Sequence, residues 1–247
     1  MFAPIHGFTS VHRTPQADLK LGSVLAFVAG AANAGGFLAV GQYTSHMTGV
    51  LSSVADNLVL GQLALAVAGL GALGAFLLGA MTTAWLVNWG MRRHLRSAYG
   101  LPLILEAAAL LVFGLFGAAM DLITHVFLPM TVVLLCFIMG LQNAVITKIS
   151  RSVIRTTHVT GLITDLGIEL GKLLYMNRLK GPQPVVANRQ RLRVHGQLVV
   201  CFFTGAVAGA LGFKHVGYIS TVPLAAGLLL LVLRPALDDW QQRPWTR

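Results

Sequence analysis

The segments "SHMTG" (45–49) and "THVTG" (157–161) each set a histidine, a hydroxyl residue and a glycine within otherwise apolar sequence. A neutral imidazole both donates and accepts hydrogen bonds, and its ordinary pKa lets it take up a proton near neutral pH. A helix starting at such a segment offers free backbone amides and a positive dipole end to an anion. The plainer reading is capping: Ser or Thr satisfies those amides, and Gly permits tight backbone. Both readings use the same groups, so a ligand would have to share them with the cap. His46, Thr48 and Gly49, matched by His158, Thr160 and Gly161, are the first candidates for contact with a solute or a proton.

Asn33 and Asn143 form a second matched pair, each in the middle of an apolar stretch. A buried amide is costly unless bonded, so interhelical hydrogen bonding competes with lining a polar cavity. Gln142 adds an amide beside Asn143. Asp165 and Glu169 follow His158 by about two and three helical turns. They share a side of that helix but sit about 10 Å or more from the imidazole, too far for one tight metal site. Arg151 and Arg155 read as topology anchors that could also pair with Asp165 or Glu169. Glu106 follows Gly100 closely and reads as near an interface; if buried, it is a candidate proton carrier. No nucleophile elbow, phosphate loop or HExxH pattern occurs, and adjacent Ser45 and His46 diverge too far to be a catalytic pair. No cofactor or metal is implied, and no enzyme activity is expected.

The elements that carry these residues are membrane helices. No Asp, Glu, Lys or Arg occurs between Lys20 and Asp56, nor from Asn57 to Met91. About 20 apolar residues suffice to span a bilayer. Only 11% of residues are charged and mean hydropathy is +0.73. Abundant Gly and Ala with weak alternation argue against a barrel. Residues 1–20 lack the apolar stretch of a cleavable signal peptide. Cys136 and Cys201 lie in apolar segments outside any CxxC pair and read as buried thiols. Full-length helices are predicted near 20–40, 62–91, 100–120, 128–148, 195–213 and 216–233. Gly71, Ala75 and Gly79, then Gly205 and Gly209, have the spacing of close helix packing. Net charge is +10, and in this setting the basic residues mark cytoplasmic loops and anionic lipid contact rather than nucleic acid. The loops at 91–96, 148–155 and 172–193 and the basic tail fall inside. Residues 41–46 and 121–125 fall outside. On that orientation the two short polar segments do not cross fully and are re-entrant or interfacial; if they did span, the two halves of the chain would run parallel, against the sign of the basic loops.

Two stretches align: "AFVAGAANA" (26–34) with "CFIMGLQNA" (136–144), and "SHMTGVLSSVADNL" (45–58) with "THVTGLITDLGIEL" (157–170). Each unit holds three crossings and one short helix. An odd number of crossings turns the second unit upside down, as in many secondary transporters. The segments "TSHMTG" and "RTTHVTGLITDLG" also resemble those of the YoaK-like family of bacterial inner-membrane proteins, over nearly the whole chain. Against that family's pattern, Asn33 stands where Asp is frequent and Val50 where Asn is frequent. The resemblance implies a multi-span membrane protein of the bacterial inner membrane and supplies no activity.

The expected fold is therefore all-α: a single polytopic membrane domain with six transmembrane helices and two short helices. Repeat 1 covers about 20–120 and repeat 2 about 128–233, with cytoplasmic tails at 1–19 and 234–247. The expected function is transport of a small polar solute, with an anion favoured by the helix N-termini. His46, Thr48, Gly49, His158, Thr160, Gly161, Asn33, Asn143 and Asp165 would form the site. The partners are then the lipid bilayer, that solute and, in a homo-oligomer, further copies of the chain. A non-transport membrane protein with an assembly or lipid-contact role is the alternative, and an intramembrane enzyme the third.

Overall fold

The computed structural model describes residues 14–95, 97–118, 124–150, 156–176 and 184–241. In chain order these residues form α1 Pro15–Val40, α2 Met47–Val59, α3 Leu63–Arg92, α4 Gly100–Ala118 and α5 Thr124–Ile149. There follow α6 Val159–Leu174, α7 Arg189–Val216, a 3-10 turn Gly217–Ser220 and α8 Thr221–Gln241. Among the described residues there is no strand.

Among the described residues, four runs are long and apolar enough to cross a membrane: Gln16–Val40, Leu63–Arg92, Pro129–Ile149 and Arg189–Leu233. The last run is divided where Gly217 adopts a φ of 70° and the 3-10 turn separates α7 from α8. Helix α4 supplies a shorter apolar stretch, Gly100–Leu115. The protein is a helical membrane protein. By contrast, α2 has 13 residues and α6 has 16, or about 20 and 24 Å at 1.5 Å per residue. Neither matches a hydrocarbon core of about 30 Å.

Helix boundaries depart from the expected spans at both chain ends. Helix α1 starts at Pro15 rather than 20. Thr14 Oγ1 accepts from the Ala17 N–H at 3.3 Å and Pro15 occupies the first helical position, a start signal inside what reads as a polar tail. Helix α7 starts at Arg189 rather than 195, because Asn188 Oδ1 accepts from the Gln190 and Arg191 N–H groups, each at 3.1 Å. The basic loop at 172–193 is correspondingly shorter. Helix α8 runs on to Gln241 through part of the expected tail. Helix α3 ends in an interfacial signature: the Arg93 guanidinium lies 5.4 Å from the Trp89 ring centroid. Beside it, Lys148 Nζ donates to Asn88 Oδ1 at 3.1 Å.

Each half of the chain packs on the other. Helix α1 packs most extensively on α7, and α3 on α5. Both crossings bring backbone against backbone at glycine. A Cβ on Gly30 would lie 2.1 Å from Phe202 O, and one on Gly205 would lie 2.0 Å from Phe27 O. At the other crossing, a Cβ on Gly79 would lie 2.2 Å from Phe137 O, and one on Gly140 would lie 2.1 Å from Phe76 O. Each of the four helices carries the same Phe-x-x-Gly spacing: Phe27–Gly30, Phe76–Gly79, Phe137–Gly140 and Phe202–Gly205. Gly209 adds a further approach to Ala31 O. Gly71, expected to pack closely, is exposed and faces open space.

Helices α1 and α5 are the inner pair, with 56% of each apolar window buried, against 22% for α3. The exposed face of α3 carries Leu70, Leu77, Met81 and Trp85, and that of α7 carries Val200, Phe203, Val207 and Leu211. Such rows of large apolar side chains suit lipid contact. The α4–α8 pair closes the core, where Thr221 Oγ1 donates to Leu110 O at 3.0 Å and stands against Gly114.

Candidate functional site

The paired motifs are positioned by the inner helices. On α1, Asn33 Oδ1 accepts from the Ser45 N–H at 3.2 Å and from Ser45 Oγ at 2.9 Å. On α5, Asn143 Oδ1 accepts from Thr157 Oγ1, while its Nδ2 donates to Met139 O at 2.8 Å. Each mid-helix amide is thus bonded, as burial demands. Its partner is the chain just ahead of the short helix. Ser45 and Thr157 do not cap free amides. They moor α2 to α1 and α6 to α5.

The N-cap residues are His46 and His158, and neither side chain makes a capping hydrogen bond. Each imidazole instead lies over the glycine three residues on. A Cβ on Gly49 would meet His46 Cδ2 at 2.2 Å, and one on Gly161 would meet His158 Nδ1 at 2.4 Å. A side chain at either glycine would displace the ring. Among the described residues, the backbone N–H groups of Met47, Thr48 and Gly49 have no backbone acceptor, nor do those of Val159, Thr160 and Gly161. These are the free amides of a helix start. Thr48 and Thr160 sit one residue into the helix and are exposed, so they are not caps.

A further matched pair escaped sequence reasoning. Thr44 is 1% exposed and Thr156 fully buried, and the Oγ1 atom of each lacks a hydrogen-bond partner. Both precede the mooring residue, in "TSH" and "TTH". The signal was visible in the alignment, one position upstream of where it was begun.

Asp165 is not part of this arrangement. It is exposed, with Oδ2 3.9 Å from Nδ1 of the buried His195 on α7. One turn on, Glu169 is buried and accepts from Lys172 Nζ at 2.8 Å and from the Asn188 N–H at 2.7 Å. The Lys172 hydrogen bond, then that from Asn188, holds its carboxyl below the usual carboxylate range. This polar cluster fastens α6 to the start of α7. The suggested pairing of Arg151 or Arg155 with either acid lies outside the described residues. Among the described residues, no three His, Cys, Asp or Glu side chains gather as a metal site would need.

Glu106 is buried in the protein core: the side chain is fully buried and neither carboxyl oxygen has a partner. Gln142 is also fully buried, with Nε2 donating to Leu25 O at 3.0 Å and Oε1 unpartnered. Cys136 is a buried free thiol, and Cys201 is a partly exposed one. The arrangement offers free amides and buried hydroxyls at two matched helix starts, and an acid within the core. Chemically it can accept hydrogen bonds from, or donate them to, a small polar molecule.

No curated protein and no solved structure matches the chain. The family model described as a protein of unknown function, DUF1275, matches residues 21–234, which takes in every crossing glycine and both paired motifs. The chain belongs to the DUF1275 family.

Proposed function

We propose that the protein carries a small polar solute across a membrane, through six crossing helices and two short re-entrant helices in two inverted repeats. The observation that carries this reading is the matched pair of interrupted segments. Each has uncapped amides at its helix start and, just ahead of them in the chain, a buried hydroxyl without a partner, Thr44 in one and Thr156 in the other. Many carriers place discontinuous helices at the interface of inverted repeats, with helix N-termini directed at anionic groups. The reciprocal α1–α7 and α3–α5 crossings are consistent with two such repeats. An anion suits the positive end of each short helix. The distribution of basic residues favours both termini inside, and the resemblance to YoaK-like proteins favours a bacterial inner membrane.

A second reading has its own observation. The Asn33–Ser45 and Asn143–Thr157 hydrogen bonds and the imidazole–glycine contacts account for much of each motif without a solute. The motifs would then be fastenings in a protein with an assembly or lipid-contact role.

The experiment that separates them is uptake into sealed vesicles, profiled over small anionic and neutral solutes. Wild type is compared with the paired change Thr44→Val and Thr156→Val, which keeps side-chain shape and breaks no hydrogen bond described within the protein. The carrier reading expects uptake to fall while folded yield holds. No uptake by wild type, or unchanged uptake by the variant, favours the fastening reading. Single cysteines at Gln42 and Gln183 in a Cys-free background should label from opposite faces, and labelling from one face sinks the inverted arrangement.

A further inference from the structure

Helix α4 packs on α3, α5, α8 and the Gly217–Ser220 turn, with Glu106 facing the core they enclose. Its two carboxyl oxygens have no hydrogen-bond partner, and Gln142 Oε1, in the core on the adjoining α5, has none either. Three acceptor oxygens in the core are thus left without donors. The ionisable residues on the surrounding elements are Arg92 on α3, His125, Cys136 and Lys148 on α5, Tyr218 in the turn, and Arg234, Asp238 and Asp239 on α8. Arg92 and Lys148 lie at helix ends, and Lys148 is held by Asn88. Arg234, Asp238 and Asp239 follow the apolar part of α8. No described cation offsets a charge on Glu106.

An unpaired carboxylate in an apolar core is strongly disfavoured, and an acceptor-only site is completed by a proton. We propose that Glu106 is a proton-exchanging residue of the membrane core. It holds a proton in the closed arrangement described above and releases it when the core is hydrated. The step is simple and balanced: the carboxyl O–H bond breaks, its electron pair stays on the carboxylate, and water takes the proton. The proposal rests on the carrier reading, since a carrier must open its core to water. It names the coupling ion of that carrier as the proton.

Infrared difference spectroscopy on the full chain in lipid vesicles, stepped in pH without any solute, tests it. Wild type should show a protonated-carboxyl stretch at neutral pH that falls reversibly as pH rises, while a carboxylate band grows. Glu106→Gln should lack the band. Glu106→Asp keeps an acid, should shift the band, and serves if the glutamine variant fails to fold. A band insensitive to pH until unfolding marks a buried structural acid and overturns the proposal. A carboxylate band already present at neutral pH, and dependent on sodium, overturns it in favour of a metal cation. The readout needs no transport. Proton exchange without vesicle uptake would sink the carrier reading and the coupling role with it, leaving Glu106 as a proton-exchanging acid, whereas uptake without proton exchange would sink this proposal alone.

Discussion

The two short helices are moored alike and differ beyond the mooring. In both, an asparagine of the inner helix holds the residue before a histidine N-cap, and the imidazole covers a glycine. At two positions of α2 the side chains are neutral and bonded to each other, Asn57 Nδ2 donating to Ser53 Oγ at 3.2 Å; Val54 packs where Gly69 leaves room, and Asp56 is exposed. The aligned positions on α6 are Asp165 and Glu169, and there α7 brings His195, with Lys172 and Asn188 bonded to Glu169. The shared part sets where each short helix begins. The divergent part sets how it is held against its outer helix, by fit in one half and by charge in the other. The second attachment depends on pH and the first does not.

The largest expected effect tests the sameness of the halves. Gly205→Val and Gly140→Val each drive a side chain into a facing carbonyl. Each should cost at least the roughly 3 kcal/mol of severe overpacking, read as lost folded yield and lowered thermal stability. Gly71→Val, in open space, should stay within about 0.5 kcal/mol of wild type. A tolerated Gly140→Val beside a lethal Gly205→Val would break the correspondence of the two crossings.

Next come the moorings. Asn33→Ala and Asn143→Ala strand part-buried donors, at about 1–3 kcal/mol each. Asn33 accepts two bonds from Ser45, whereas Asn143 accepts one from Thr157 and makes its second within its own helix, to Met139 O, so the first change should cost more in thermal unfolding. Equal losses would mean that the Ser45 backbone bond contributes no more than the Asn143–Met139 bond.

The difference between the halves has a pH test. Glu169 is held below its ordinary pKa in the folded chain. Its contribution is therefore fully present above the unfolded carboxylate pKa and lost as pH falls through the lower folded value. Melting temperature against pH should drop on the acid side, less steeply in Glu169→Gln, and Asn57→Ala should leave that profile unchanged. Identical acid profiles for wild type and Glu169→Gln would remove the charged fastening. The smallest effect is expected from Thr48→Val and Thr160→Val. Neither hydroxyl caps its helix, so stability should change by no more than about 0.5 kcal/mol, and any loss of uptake in such variants reports on solute contact.

Much of this was legible in the sequence. Charge-free runs mark the long helices, and the alignment pairs Asn33 with Asn143 and His46 with His158. The bonding was not legible. Local capping rules assign Ser45 and Thr157 to nearby amides, while the actual acceptors lie a full helix end away at Asn33 and Asn143. Nor was the burial of Glu106 legible. Counting from Gly100 assumes that α4 starts at a surface, yet Ala98 is fully buried and Ser97 nearly so. The Phe-x-x-Gly spacing was present in all four crossing helices, but spacing alone does not say which helix meets which.

The exchange of partners between halves bears on how the chain is made. Helix α1 leaves the ribosome long before α7, its main neighbour, exists, and the same delay is shorter for α3 and α5. Until then the glycine face of α1 lies against lipid or a chaperone, held upright by its own backbone hydrogen bonds. The first half alone should therefore insert without settling. Supplied as two separate polypeptides cut between α4 and α5, the halves should find one another in the bilayer, because each carries the other's missing contacts.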